Sequence, residues 1–164
     1  MRVRELERRE WALFRELRLR SLADSPDAFA RRFVDEQAQP DVHWIRLAES
    51  VTVPGGQVML VAEDDSRALG LTFGLFDKER PKTGHVGGMW VEPESRGRGA
   101  GQALLSAAID WARSRDLERL DLWVTEGNRP ATRLYERTGF TDTGRRDAHP
   151  LNPALRIMHM TLNL

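Results

Sequence analysis

The sequence predicts an α+β fold, a mostly antiparallel sheet with one strand–helix–strand crossover in its middle. Three observations carry this expectation. Apolar residues recur at the helical period through the first fifty positions, then switch to two-residue alternation after "PGG". Two further helical stretches, 102–116 and 128–140, enclose the strand-like "RLDLWVTE". No internal repeat, low-complexity tract or long linker divides the 164 residues, a length that suits one domain, 1–164.

Taken in order, "MRVREL" reads as a short edge strand. It leads into a helix in which Trp11, Phe14 and Leu17 share a face. "DSPDAFARRFVDEQ" predicts a second helix, with Ser25 as N-cap, Pro26 in the first turn, and Phe29 and Phe33 four apart on the inner face. "PDVHWIRLAES" adds one or two helical turns. "QVMLVAE" is then a buried strand, "ALGLTFGLF" places Leu69, Leu71, Phe73 and Leu75 on one face, and "TGHVGGMWVE" is a fourth strand. "QALLSAAIDWARSRD" turns Leu105, Ala108, Ile109 and Ala112 inward as a helix, and "RLDLWVTE" groups Leu120, Leu122 and Val124. "NRPATRLYERTGF" carries helix signals at both ends: Asn128 as cap, Pro130 in the first turn and Gly139 just past the last turn. "ALRIMHMTLNL" closes the chain as a strand. The segment between, "GRRDAHPLNP", reads as a loop.

Composition excludes several classes. With 40% hydrophobic and 30% charged residues the chain has the balance of a globular protein, and no run approaches the roughly 20 apolar residues of a membrane span. Twenty-five basic residues balance twenty-five acidic ones, so the excess of positive charge expected of a nucleic-acid binder is missing. There is no cysteine, which removes disulfides and thiol nucleophiles, and "MRVRELERREWALF" lacks the apolar stretch of a secretory leader. The expectation is a cytoplasmic protein that contacts neither membrane nor nucleic acid. His43, His149 and His159 are too scattered for a familiar metal site, so no metal is expected. Trp11, Trp44, Trp90, Trp111 and Trp123 read as core and pocket walls, and the basic face of "ERREWALFRELRLR" as solvated.

The chemistry concentrates in "RGRGAG", Arg96 to Gly101, between the fourth strand and the following helix. A helix start offers amides without internal partners and a positive dipole end, and glycines let an anion's oxygens reach the main chain. A bare strand-to-helix turn is the alternative on glycine content alone; Arg96 and Arg98 beside the same amides favour a phosphate or pyrophosphate. Neither a P-loop nor a dinucleotide fingerprint fits, because position 102 is Gln.

Two motifs resemble the GNAT N-acetyltransferases. The pyrophosphate loop Arg/Gln-x-x-Gly-x-Gly/Ala after Val-x-Pro is matched by Val91, Pro93, Arg96, Gly99 and Gly101. Asn-x-x-Ala-x-x-Leu-Tyr-x-x-x-Gly-Phe is matched by Asn128, Ala131, Leu134, Tyr135, Gly139 and Phe140. The resemblance implies a single GNAT-type domain over 1–164, with a twisted, mostly antiparallel sheet of about seven strands flanked by helices and the fourth and fifth strands splayed for acetyl-CoA. It implies cofactor contacts at Met89, Trp90 and Val91, at Arg96, Gly97, Arg98, Gly99, Ala100 and Gly101, and at Asn128, Ala131 and Tyr135. Gly87 and Gly88 in mid-strand then have a reason in a bulge or a closely approaching cofactor arm.

The implied reaction is acetyl transfer to the primary amine of a small-molecule or peptide acceptor, by direct attack. Tyr135 would be the general acid, since a phenol of pKa about 10 keeps its proton at neutral pH; a core tyrosine is the plain alternative. The resemblance points to a base on the fourth strand before Val-x-Pro, where His85 stands; two-residue alternation predicts that it faces the side of Met89 and Val91. A solvent-facing histidine, Glu92 or Glu126 acting through water, and no dedicated base are the alternatives. Asp24 to Glu36 and "GRRDAHPLNP" are expected to wall the acceptor site. Competing classes are an acyl-CoA-sensing or partner-binding module without turnover and an anion-binding regulatory domain. A homodimer is left open.

Overall fold

The computed structural model describes residues 1–65 and 67–164. One sheet of seven strands separates two helical layers: β1 (Arg2–Glu5), β2 (Val58–Asp64), β3 (Arg67–Phe76), β4 (Thr83–Val91), β5 (Arg119–Thr125), β6 (Thr141–His149) and β7 (Asn152–Asn163) stand in the order β1-β2-β3-β4-β5-β7-β6. Among the described strands only β4 and β5 run parallel, and the connection between them is the helix α4 (Ala100–Ser114). α1 (Trp11–Asp24), α2 (Phe33–Gln37) and α3 (Asp41–Ser50) precede β2, and α5 (Arg129–Thr138) follows β5.

β2 shows how the two layers share one strand. Val58, Leu60 and Ala62 pack into the core of α4, while Met59 and Val61, pointing the other way, pack against Phe14, Leu17 and Trp44 of α1 and α3. A strand buried on both faces needs an unbroken apolar run, which "VMLVA" supplies. α4 contributes Leu104, Leu105, Ala108 and Ala112, each with no exposed surface, so truncating either leucine to alanine would cost about 2–5 kcal/mol.

Two segments differ from expectation. The helix expected from Ser25 to Gln37 is split into a single 3₁₀ turn, Pro26–Ala28, and α2, with Phe29 extended between them at φ −133° and ψ 156°. Tertiary contacts override the local preference: Phe29 is drawn into the α1–α3 core, Thr125 Oγ1 donates to the Asp27 carbonyl at 2.7 Å, and Ser25 Oγ donates to Asp24 instead of capping a helix. "GRRDAHPLNP" is mostly strand, not loop. β6 is paired with β7 on one side only and nearly every residue of it is exposed, so no apolar alternation marks it.

Candidate active site

β4 and β5 pair over three rungs, Thr83↔Arg119, Gly84↔Leu120 and His85↔Asp121, and then diverge, although β4 runs on to Val91 and β5 to Thr125. A cleft of about 90 Å³ opens between them, walled by Gly87, Gly88 and Met89 on one side, Trp123 to Thr125 on the other, and Asn128, Ala131, Leu134 and Tyr135 at its back. Ala28 and Phe29 close it from the α1 side. A larger recess of about 330 Å³ at Met1, Arg2 and Glu63 to Asp65 is an open charged surface at the sheet edge, where the terminal ammonium pairs with Asp64 at 2.9 Å.

The divergence has a local cause. Opposite Leu71 and Phe73 of β3 stand Trp90 and Gly87, so β4 carries one extra residue there, and Gly88 takes φ +59°. Glu92 N–H donates to the Leu69 carbonyl at 2.8 Å; by antiparallel alternation the main chain of Val91 faces away from β3, toward the open side. Its carbonyl accepts from Arg96 Nε at 2.9 Å.

At the head of the cleft Gly97 and Gly99 are left-handed, at φ +74° and +89°, and Gly99 is the N-cap of α4. A Cβ on Gly97 would meet nothing within 4 Å, and one on Gly99 only Met1 Cε at 3.9 Å, so both would project into the open space over the helix start. Among the described residues, no amide from Gly97 to Gln102 donates to a protein acceptor. Aligned, unpaired amides at a helix N-terminus fit the oxygens of a phosphate or pyrophosphate. Gly101 lies against Leu134, where a Cβ would come within 3.2 Å, and so allows α4 to approach α5.

Tyr135 is buried on α5, which Asn128 caps by accepting from Ala131 N–H at 3.3 Å, with Gly139 left-handed at the other end. Burial pushes the Tyr135 phenol up to about 12, and its hydroxyl has no partner among the described residues. It lines the cleft as a protonated, uncommitted donor.

Several expected site residues sit elsewhere. The Trp90 main chain pairs with Leu71, its indole packs in the α1–α3 core, and its Nε1–H donates to Asp24 at 2.9 Å, so neither part of it reaches the cleft. His85 does not share a face with Met89 and Val91. Gly84, Val86, Met89 and Val91 all face the α4 layer, because the extra residue at Gly88 inverts the alternation, and His85 projects to the opposite face. There, at the closed end of the strand pair, its Nε2 lies 2.7 Å from Asp77 Oδ2. Glu92 is buried and accepts from Arg20 at 2.5 Å, Arg67 at 2.9 Å and Ser95 at 2.8 Å. Burial alone would raise its carboxyl, but these hydrogen bonds and the two positive charges outweigh it and hold the group below the usual carboxylate value. Glu126 accepts from Arg146 Nε at 2.6 Å. The Arg96 guanidinium bridges Asp24 and the Val91 carbonyl and fixes the loop to the end of α1, whereas Arg98 is exposed.

The basic face of α1 is not simply solvated. Arg20 reaches Glu92 and lies over the Trp90 ring, and the Arg18 guanidinium lies over Phe29, 4.8 Å from the ring centroid. Arg18 stands four residues after the buried Phe14, a spacing that places it on the inner face. On the same side of the sheet the fully buried Asp121 accepts from Thr161 at 2.6 Å. Arg80 at 3.0 Å and His159 at 3.3 Å approach its other oxygen, off hydrogen-bond alignment. Asp121, the Thr161–His159 pair and Arg80 come from three separate segments, and no local pattern joins them.

The acetyltransferase (GNAT) family model matches residues 6–140. A mycothiol acetyltransferase from Thermomonospora curvata is 34% identical over 123 residues, which is 74% of this chain and 37% of that protein. The chain thus spans less than two fifths of the length of the curated relatives it matches. An acetyltransferase of the GNAT family from Streptococcus pneumoniae superposes with a TM-score of 0.82 over 99% of this chain and 98% of that one, at 21% identity. A putative acetyltransferase from Salmonella typhimurium, solved with its cofactor acetyl-CoA, gives 0.81 over 100% and 94%, also at 21% identity. At such identities the likeness is one of fold.

Proposed function

We propose that this chain, which belongs to the GNAT acetyltransferase family, transfers the acetyl group of acetyl-CoA to a primary amine by direct attack. The observation that carries the reading is the three-rung limit on β4–β5 pairing, with Tyr135, whose hydroxyl has no partner among the described residues, lining the opening that results. The site fits acetyl-CoA: unpaired amides and left-handed glycines at the start of α4 suit its pyrophosphate, and the outward main chain of Val91 suits an extended arm laid along β4. When bound, acetyl-CoA supplies an acyl group activated as a thioester.

The remaining work falls to the chain. The amides from Gly97 to Gln102 hold the phosphates with Arg98 beside them, and Met89, Asn128 and Ala131 border the arm. Tyr135, kept protonated by burial, donates from its hydroxyl to the departing sulfur as negative charge grows there. No cysteine is present, so no thiol of the chain carries the acetyl group. His85 receives no proton-transfer role, because its ring faces away from the Tyr135 side and is tied to Asp77. Solvent takes the amine proton.

The acceptor panel holds simple amines, amino acids, peptides and, from the name of the relatives, mycothiol-related amines. Free thiol and acetylated amine are measured together. Both rise in equal amounts if the reading holds. Acetyl-CoA binding with neither product across the panel would leave a sensing module instead.

A further inference from the structure

We infer that Arg18 is a specificity-determining residue of the acceptor site, which takes an amine bearing a carboxylate and pairs that carboxylate with the Arg18 guanidinium. The inference rests on the acetyl-transfer reading for the identity of the amine, but not for the binding of the anion.

Among the described residues, Arg18 Nη1 is buried without an acceptor. Leaving a charged donor unpaired costs more than a neutral one, and burial draws the guanidinium down to about 10 despite the opposing pull of Glu36. Glu36 forms no ion pair with it; that carboxylate faces Arg31 at 4.0 Å and His43 at 3.6 Å. Nη1 lies 3.5 Å from where a Cβ on Gly88 would stand, and Gly88 is a wall of the cleft. The bulge that opens the cleft therefore also sets a guanidinium nitrogen, unpaired among the described residues, against the Gly88 wall.

Direction follows from the layers. Tyr135 and the start of α4 occupy one face of the sheet, so an acceptor meeting the thioester arrives from the other, past Phe29 and Arg18. The Phe29 ring lies against the guanidinium, its centroid 4.8 Å from Cζ, and among the described residues no acceptor takes the Nη1 donor. A guanidinium fork matches a carboxylate with two parallel hydrogen bonds. Arg31 faces Glu36 at 4.0 Å, which offsets its charge and leaves the Arg18 guanidinium as the unpaired cation beside Gly88, matched in charge by a carboxylate monoanion.

The test uses matched pairs, L-amino acids and their carboxamides, which differ in the carboxylate alone. Calorimetric titration into the coenzyme A-saturated protein reads binding without turnover. The acids should bind the wild type at least ~10-fold more tightly than the amides, and Arg18→Met should erase the preference while coenzyme A affinity holds. Arg18→Lys, which keeps the charge but loses the fork, should retain part of the preference and serves if Arg18→Met does not fold. Equal binding of acid and amide, no binding of either, equal loss of both in the variant, or tighter binding of phosphoethanolamine than of any amino acid would each overturn the inference. Acid preference without acetylated product would instead count against the acetyl-transfer reading and leave the role of Arg18 standing.

Discussion

A Cβ on Gly88 would stand 2.6 Å from Phe73 Cδ2 on the neighbouring strand. The contact and the positive φ of Gly88 together make the bulge of β4 a position that only glycine fits. Gly88→Ala combines left-handed strain with overpacking and should destabilise the domain by about 2 kcal/mol. It should weaken acetyl-CoA binding beyond what the loss of folded protein explains. Urea unfolding beside calorimetry measures both, and a wild-type midpoint with wild-type affinity would show that the bulge does not shape the cleft.

Gly99→Val separates strain from collision. Its Cβ has room in the protein but would occupy the space over the α4 amides. The variant should fold, losing about 1–2 kcal/mol to its left-handed conformation, and should bind acetyl-CoA too weakly for calorimetry. Arg98→Ala should weaken binding far less, and increasingly little as salt is added, because an exposed charge is screened. Unchanged affinity in folded Gly99→Val would remove the pyrophosphate from this loop.

His85→Ala should preserve the acidic limb of kcat/KM against pH, since the ring faces away from Tyr135 and is held by Asp77. Loss of that limb would restore His85 as the base.

The bulge at Gly88 was partly legible in the sequence. The two glycines marked a bulge or a close approach, and both the loop and the Asn128–Gly139 helix were legible because their caps and turns are local. Which way His85 faces was not, for one extra residue inverts every side chain before it, and its position depends on the register with β3. Phe29 reads as helical from local spacing alone; what holds it extended is the α1–α3 core and the neighbouring bond from Thr125 to Asp27, 98 residues apart in the chain. Arg18 carried a signal in its spacing from Phe14, outweighed by the general rule that arginines face water.

Glu92 gives the pH dependence of stability. Its folded pKa lies below the ordinary 4.5, so its contribution is present above that value and is lost as pH falls below it. Glu92→Gln should lower stability near pH 7 by about 2 kcal/mol, as expected for lost hydrogen bonds to charged groups, and the difference from wild type should shrink toward pH 3. Urea midpoints across pH 7 to 3 read this directly. A difference that stays constant would mean that packing, not charge, fixes Glu92.

The most direct measurement is steady-state acetyl transfer by Tyr135→Phe with the best amine found, set beside its affinity for acetyl-CoA. The substitution keeps the buried ring and deletes only the hydroxyl, which has no partner among the described residues. Loss of the hydroxyl should lower kcat by roughly 10²-fold or more, the usual size of a general-acid contribution, with acetyl-CoA affinity within about twofold of wild type. Undiminished kcat, or equal losses in turnover and affinity, would contradict the general-acid role of Tyr135.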